Sequence, residues 1–263
     1  AVEVGPSLES AKDVPPSFIG LKPARNAIGR LAHQGVRAMM EWMAMSEGKS
    51  SFNSALASHG LAPVDGSVFD VSYRSPDLIF MSGVPGFAYP RRNPNPKVRF
   101  VGPLLPYKAA VARDFPQLEK LDRFKQVILI SQGTVDNRDP QKLIVPALEA
   151  LKDSEALLIV ATGHSQTEAL RKRYPQDNII IEDFVDFDFI LEHTDLFICN
   201  GGYGSILMSL SKGVPVLVAG IREGKNDVNA HVDYFGVGID LRTESPKSAD
   251  IQRAARRLLS EPI

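Results

Sequence analysis

The sequence is poor in cysteine and has no long apolar run. Its single cysteine, Cys199 among 263 residues, excludes an internal disulfide and permits a reducing compartment. This residue ends a short apolar segment and has no basic neighbour, so we interpret it as an inert core thiol. No apolar run approaches the roughly 20 residues of a membrane helix. We therefore expect no membrane span and a cytoplasmic location.

The sequence also has little net charge. The formal net charge is -1, which gives no general electrostatic attraction for nucleic acid or for anionic membranes. Internal repeats, low-complexity tracts and a starting methionine are absent as well, and the last helical pattern stops abruptly. We therefore expect a fragment of a globular protein that does not bind nucleic acid.

The first hundred residues carry an irregular pattern. Residues 1–24 are rich in proline, serine and charge and are predicted to be loop. A helix is predicted over 25–45 and a shorter one over 51–58, followed by strands over 77–81 and 98–101. We interpret 1–104 as the remainder of one domain and 105–122 as a linker.

The predicted helix over 25–45 carries an apolar stripe at three- and four-residue spacings. The stripe consists of Ile28, Leu31, Ala32, Met39, Met40 and Met43. A methionine-rich stripe is typical of a core or of a docking face, and the lining of a ligand pocket is a further alternative. If the stripe forms a large exposed face, we expect self-association.

A regular alternation of strands and helices begins after the linker, over 123–263. The predicted strands are 126–131, 156–161, 178–181, 195–199, 214–219 and 237–241. The predicted helices are 139–152, 165–174, 187–193, 204–212, 226–235 and one from Ser248. The strands are continuous apolar runs, which is typical of strands covered on both faces. This alternation predicts an α/β domain with a doubly wound parallel sheet.

One loop of this sheet is rich in glycine and opens a helix. It reads Asn200-Gly201-Gly202-Tyr203-Gly204-Ser205. Ligands bind beyond the carboxyl ends of strands in such sheets, and a glycine-rich helix start accepts a phosphate. Asn200 and Ser205 can add hydrogen bonds from their side chains. A tight turn that binds nothing is an equally open interpretation of the glycines.

Three further loops at the same edge supply weaker candidates. Gly133 and Thr134 follow the first strand and could face the same phosphate. Phe184 and Val185 could stack a base and bond its edge, although Phe184 could equally be core. The loop over 220–227 ends in a polar cluster that could hold sugar hydroxyls, or could simply be solvated. Its candidates are Glu223, Lys225 and Asn226.

These loops together resemble the donor-binding signature of family 1 glycosyltransferases, the UDP-glycosyltransferase-like enzymes that include bacterial macrolide and plant flavonoid members. The resemblance is carried by Phe184-Val185, the loop over 200–205, Gly213-Val214-Pro215-Val216, Asn229-Ala230 and Gly236-Val237-Gly238. Two earlier segments resemble the end of the N-terminal domain in bacterial members, Pro85-Gly86-Phe87-Ala88-Tyr89-Pro90 and Val98-Arg99-Phe100-Val101-Gly102-Pro103.

The resemblance implies a GT-B fold, two Rossmann-like domains with the substrate cleft between them. It implies a nucleotide-sugar donor, dTDP- or UDP-linked, and a small apolar acceptor such as a flavonoid or macrolide. The sugar would pass to an acceptor hydroxyl with inversion, without a metal or a cofactor beyond the nucleotide sugar. Phe184 and Val185 would hold the base. Thr134, Asn200, Gly204 and Ser205 would hold the diphosphate, and Gly133, Gly201 and Gly202 are further donor-binding candidates. Glu223, Lys225 and Asn226 would reach the sugar.

The sequence departs from the family pattern at three places. Asn200 stands where the family often has histidine, and Lys225-Asn226 replaces an Asp-Gln pair at the sugar end. Met208 stands where the family has a glutamate that binds the ribose. Methionine cannot bond ribose hydroxyls, so we expect a donor without the 2′-hydroxyl, a dTDP-sugar.

No catalytic residue can be named from the sequence. The family's general base is a histidine near the start of the N-terminal domain, and none of the five histidines matches that motif. His164 follows a predicted strand and could contact the donor. We therefore expect this chain alone to bind donor without transferring sugar. A non-catalytic nucleotide-sugar-binding module and a nucleotide-sugar epimerase remain alternatives.

Overall fold

The computed structural model describes residues 1–43, 46–105, 115, 117–135 and 137–260. The chain divides into two compact units, Ala1–Leu104 and Leu105–Ile263. Most of the predicted linker over 105–122 lies outside the described residues. Its last part is helical, because helix α4 begins at Glu119.

The first unit contains a small parallel sheet in the order β1-β2-β3. Its strands are β1 (Val2–Glu3), β2 (Ile79–Met81) and β3 (Val98–Phe100). The prediction of loop over all of 1–24 was wrong at β1, where Val2 pairs with Phe80. A two-residue strand is too short to show a period in sequence, and it forms only because the edge of β2 offers free hydrogen-bonding groups.

Three helices accompany this sheet, α1 (Ala27–Met43), α2 (Ser46–Ser58) and α3 (Val71–Arg74). Residues 44–45 of the predicted first helix lie outside the described residues, and α2 begins five residues before its predicted start. None of the residues of α1 is buried. Ile28 is 80% exposed and Met43 is 66% exposed, so the methionine stripe is not part of a core.

The second unit contains a six-stranded sheet in which every neighbouring pair is parallel. The strands are β4 (Val127–Ser131), β5 (Leu157–Ala161), β6 (Ile179–Glu182), β7 (Leu196–Cys199), β8 (Val216–Val218) and β9 (Gly238–Asp240). Their spatial order is β6-β5-β4-β7-β8-β9. Each strand lies within two residues of its predicted bounds. The predicted α/β, doubly wound architecture is confirmed.

Helices connect the strands of this sheet. They are α4 (Glu119–Arg123), α5 (Ile144–Leu151), α6 (Thr167–Arg173), α7 (Phe187–Leu191), α8 (Tyr203–Ser211), α9 (Lys225–Phe235) and α10 (Ser248–Ser260). The helix predicted over 139–152 is interrupted. It starts as a 3₁₀ turn, Pro140–Lys142, capped by Asp139, and continues as α5 after Leu143 leaves helical geometry.

The main core lies between the sheet and the helices α5 and α10. Ile128, Leu158 and Ile198 of the strands are fully buried there, together with Leu148 of α5 and Ala255 of α10. Since both faces of the strands are covered, only their ends are available for ligands. Among the helices of the described ranges, none combines the length and apolarity that a bilayer crossing requires.

A polar cluster ties α5 to the end of α6. Glu149 accepts hydrogen bonds from Lys152 Nζ at 2.7 Å, from the Tyr174 hydroxyl at 2.7 Å and from Arg173 at 3.0 Å. The bond from Lys152, followed by that from Tyr174, lowers the pKa of Glu149 to about 2. A carboxyl with a lowered pKa in the folded state stabilises the fold above its ordinary pKa and loses this effect as pH falls.

We expect Glu149→Gln to lower the free energy of unfolding by about 1 kcal/mol near neutral pH. The value is modest because the side chain is 32% exposed, and solvent weakens its ion pairs. The deficit should shrink as pH falls from about 4.5 towards about 2, which urea unfolding at a series of pH values measures. Glu155→Gln, at an exposed position, is the matched control. A deficit that stays constant over this range would contradict the assignment.

Candidate functional site

The central feature of the second unit is the point where the strand order reverses, between β4 and β7. The crossovers leave these adjacent strands in opposite directions, which opens a crevice at their carboxyl ends. Ser131 and Cys199 are partners in the register at this edge. The Asn200 amide then donates to the carbonyl of Gln132, so the loops after the two strands are joined directly.

The Gly201 loop after β7 has no room for a side chain. Gly201 has φ +93°, and a Cβ there would lie 1.9 Å from Oδ1 of Asn229. A Cβ on Gly220, in the loop after β8, would lie 2.4 Å from the carbonyl oxygen of Asn200. These two loops therefore pack backbone against backbone, and glycine is required at both contacts.

Asn229 lies beneath these loops and connects them. It is fully buried in α9, and its Nδ2 donates to the Gly220 carbonyl at 2.9 Å. Its Oδ1 has no hydrogen-bond partner among the described residues and faces Gly201. In the sequence this residue stands out only as part of the Asn229-Ala230 motif. The available signal was a lone amide between the apolar residues Val228, Ala230 and Val232, since buried polar groups usually have a structural partner.

The Gly201 loop leads into the first turn of α8. Gly202 occupies the position before the helix in an extended conformation, and no side chain of the described residues caps that end. Gly204 and Ser205 follow in the first turn, where backbone N–H groups lack partners within the helix. Gly204 is exposed and a Cβ there would meet nothing within 4 Å. An anion can therefore approach this helix start closely.

The loop after β4 is held against the loop after β5 by a second buried amide. Asn137 donates to the carbonyls of Thr162 at 3.1 Å and Gly163 at 2.9 Å. Gly133 has φ +79° and lies beside the Asn200 side chain, while Thr134 is exposed. Thr134 is thus presented at the crevice. Asn137 belongs to no recognisable motif, so its role was not predicted from the sequence.

The loop after β6 presents an aromatic ring to solvent. Phe184 is 57% exposed, so it does not belong to the core, and Val185 is half-buried beside it. The ring of His164, from the loop after β5, meets Phe184 edge-on with 4.6 Å between centroids. His164 Nδ1 lies 3.1 Å from Oδ2 of Asp183. The structure therefore groups His164 with the predicted base-binding residues.

The loop after β8 brings a lysine next to the Gly201 loop. Lys225 begins α9, and its Cδ lies 3.4 Å from the position a Cβ of Gly220 would take. Its Nζ pairs with Glu223 at 2.8 Å. Asn226 accepts the N–H of Asp227 through Oδ1 at 3.0 Å. Lys225 thus packs against Gly220, whose backbone contacts the carbonyl of Asn200.

The cysteine at this edge of the sheet has an unreactive thiol. Cys199 is buried, and burial raises the pKa of its thiol to about 12. Little thiolate therefore forms at neutral pH, as expected for a core thiol. In the part of the chain that the structure describes, no three His, Cys, Asp or Glu side chains cluster closely enough to hold a metal ion.

The comparison with protein families decides which class of protein carries this site. Residues 127–261 match the sequence model of the family described as glycosyltransferase family 28 C-terminal domain. The chain belongs to this glycosyltransferase family. The recognition of a glycosyltransferase from the loops after β6, β7 and β8 is therefore confirmed.

Curated relatives of this glycosyltransferase include a bacterial and a fungal protein. This chain is 32% identical over 256 residues to 4'-demethylrebeccamycin synthase from Lentzea aerocolonigenes, and the match covers 96% of this chain and 59% of that protein. It is 26% identical to UDP-glycosyltransferase 2 from Phaeomoniella chlamydospora, covering 95% of this chain and 56% of that protein. The chain thus spans little more than half the length of these relatives.

The fold recurs in solved glycosyltransferase structures. The crystal structure of the glycotransferase of kitacinnamycin superposes with a TM-score of 0.66 at 20% identity, covering 89% of this chain and 59% of that chain. The crystal structure of the calicheamicin glycosyltransferase gives a TM-score of 0.62 at 20% identity, covering 82% of this chain and 51% of that chain. At this identity the likeness shows the fold, and the predicted GT-B type is confirmed.

The packing of Gly201 gives a direct test of the site's construction. We expect Gly201→Ala to lower the free energy of unfolding of this glycosyltransferase by about 3 kcal/mol, because the methyl group meets Asn229 and requires a left-handed backbone. Gly204→Ala, in the first turn of α8, is the matched control. Its methyl group enters open space in a helix, so stability should be unchanged or rise by up to about 1 kcal/mol. Chemical denaturation of both variants measures this, and equal losses would refute the packing argument.

Proposed function

We propose that this glycosyltransferase chain binds a nucleotide sugar with its diphosphate at the crevice between β4 and β7. The observation that carries the proposal is the Gly201 loop, which is packed on Asn229 at Gly201 and has no side chain at Gly202 and Gly204, where it opens α8. Such a loop lets phosphate oxygens reach backbone N–H groups at a helix start. Gly133, Thr134, Gly202, Gly204 and Ser205 complete this diphosphate site.

In this proposal Asn200 both holds the loop after β4 and contacts the diphosphate. One of its amide N–H groups supports the Gln132 carbonyl, so only the second remains to meet a phosphate oxygen. The amide carries no charge. The charge of the diphosphate is then balanced by the α8 helix start and by Lys225, which lies beside the same loop.

The order of the strands indicates which residues bind the base and the sugar of the nucleotide sugar. Phe184 and the Val185 backbone, at the end of β6, hold the base. The distance from β6 to β7 spans three strand spacings, roughly 14 Å, which suits an extended nucleoside diphosphate. Glu223, Lys225 and Asn226, after β8, lie on the opposite side of the phosphates and contact the sugar.

We further propose that the protein to which this chain belongs transfers the sugar to a hydroxyl of a small apolar acceptor, of flavonoid or macrolide type, with inversion. Support for glycosyl transfer comes from a relative that is named UDP-glycosyltransferase 2, and the acceptor type and inversion follow from the family resemblance. The acceptor oxygen forms a bond to the anomeric carbon as the bond from that carbon to the nucleoside diphosphate breaks. The hydroxyl proton passes to the general base that the family resemblance places in the N-terminal domain, and the α8 helix start stabilises the charge of the departing diphosphate.

A donor-binding module without its own transfer activity is the second candidate. It is favoured by the burial of His231, which lowers the pKa of that imidazole to about 4 and makes it a weak general base. Sugar-transfer assays of this chain, with and without an added N-terminal half from a relative, separate the two candidates. Transfer by this chain alone would exclude the module.

The position of Met208 bears on the choice between UDP and dTDP. Met208 lies on α8 one turn after Gly204, so the two residues share a helix face. Its side chain cannot bond the 2′-hydroxyl that a UDP donor carries. We therefore propose a dTDP-linked sugar as the preferred donor.

We expect calorimetric titration to show binding of both dTDP and UDP, with tighter binding of dTDP. Met208→Glu should shift this ratio by about tenfold towards UDP, because a carboxylate bonds the ribose hydroxyls. Met39→Glu, on exposed α1, is the matched control and should leave the ratio unchanged. Tighter UDP binding by the parent chain would overturn the Met208 argument, and no binding of either nucleotide would overturn the proposed function.

A further inference from the structure

One peptide unit in the loop after β8 is held at both of its polar groups. The carbonyl of Gly220 accepts a hydrogen bond from Nδ2 of Asn229 at 2.9 Å. The N–H of the next residue, Ile221, donates to Oε2 of Glu244 at 2.8 Å. Because the C=O and N–H groups of one peptide unit lie in a single plane, the two side chains together fix the orientation of that plane.

Glu244 reaches this peptide unit from the connection between β9 and α10. Its side chain is only 18% exposed, and Nζ of Lys142 lies 3.9 Å from its other carboxylate oxygen, Oε1. A carboxylate oxygen is a stronger acceptor for a backbone N–H than a neutral oxygen, and partial burial reduces the competition from water. Glu244 therefore joins the segments that follow β4, β8 and β9.

The loop after β8 has little apolar packing of its own. Ile221 is 46% exposed, and Arg222 and Glu223 are exposed as well. Glu223 has φ +56°, a conformation that side chains disfavour, and Gly224 has φ +76°. A segment of this kind keeps one conformation only when neighbouring groups determine it. The hydrogen bond to Glu244 is such a constraint.

The held peptide unit determines where Glu223 lies. Only residues 222–224 separate it from the start of α9 at Lys225. The N–H of Lys225 donates to the carbonyl of Arg222 at 3.0 Å, so this short connection forms a tight turn with Glu223 inside it. Lys225 itself is held by α9 and by its packing against Gly220. A reoriented peptide unit would therefore displace Glu223 far more than Lys225.

We infer that Glu244 is a positioning residue for the sugar end of the donor. It acts through the backbone of Ile221 and holds the turn that presents Glu223 to the sugar. The inference rests on the proposed function and deepens it, because it separates the supports of the two ends of the donor site. The Gly201 loop, packed on Asn229, binds the diphosphate without help from Glu244, whereas the contact of Glu223 with the sugar depends on Glu244.

The test compares Glu244→Ala, which removes the acceptor, with Glu244→Gln, whose amide oxygen can still accept the N–H of Ile221. Glu149→Ala is the matched control. Glu149 also accepts charged hydrogen bonds, but it lies near the end of α5, which leads to the start of β5 and so to the opposite edge of the sheet.

The probes are UDP, UDP-glucose, dTDP and dTDP-glucose, measured by calorimetry at neutral pH. For each nucleotide, the dissociation constant of the nucleotide sugar divided by that of the nucleoside diphosphate reports the contribution of the sugar. A substitution that only loosens the fold changes both constants together and leaves this ratio unchanged.

We expect Glu244→Ala to raise the ratio by about fivefold to tenfold, because Glu223 no longer faces the sugar, while the affinity for UDP changes by less than about twofold. Glu244→Gln should stay close to the parent, and Glu149→Ala should lower stability without changing the ratio. In a Glu223→Ala background, Glu244→Ala should have no further effect on the ratio, since one residue acts through the other.

Three results would overturn the inference and leave the proposed function intact. They are equal losses of affinity for the nucleoside diphosphate and the nucleotide sugar, a ratio that stays unchanged for both nucleotides, and additive effects of the two alanine substitutions on the ratio. A parent chain that binds none of the four probes would overturn the inference and the proposed function together.

Discussion

The packing of the buried Asn229 amide against two glycine loops is the constraint on which the site depends. One side chain holds the Gly220 carbonyl and abuts Gly201, so the loops after β7 and β8 share a single support. A buried amide that kept neither contact would be costly, because it would have lost its hydrogen bonds to water. The shape of the α8 start is thereby fixed before any ligand arrives.

A second amide repeats this construction on the other side of the crevice. Asn137 joins the loops after β4 and β5, and Asn200 bridges from the loop after β7 to that after β4. The exposed groups assigned to the donor, such as Thr134 and Phe184, sit above these supports. Preorganised backbone groups bind charge without the reorganisation that flexible side chains require.

The sequence was sufficient for the architecture because apolar strands buried on both faces leave a strong local signal, and β4 to β9 were each located within two residues. The glycine-rich loop was equally visible. The two buried amides that hold the loops, Asn137 and Asn229, were not visible in the sequence, because their hydrogen-bond partners are distant along the chain. Strand β1 and the early start of α2 were missed because pairing and packing, rather than a local period, determine them.

The burial of Cys199 has a practical consequence for work on this protein. A thiol with a pKa near 12 and almost no solvent contact reacts slowly with maleimides and iodoacetamides at neutral pH. A cysteine introduced at an exposed position, such as Thr134, would therefore take up a fluorescent or spin label selectively, with the native thiol left in place. The native cysteine therefore does not need to be removed before a single site is labelled.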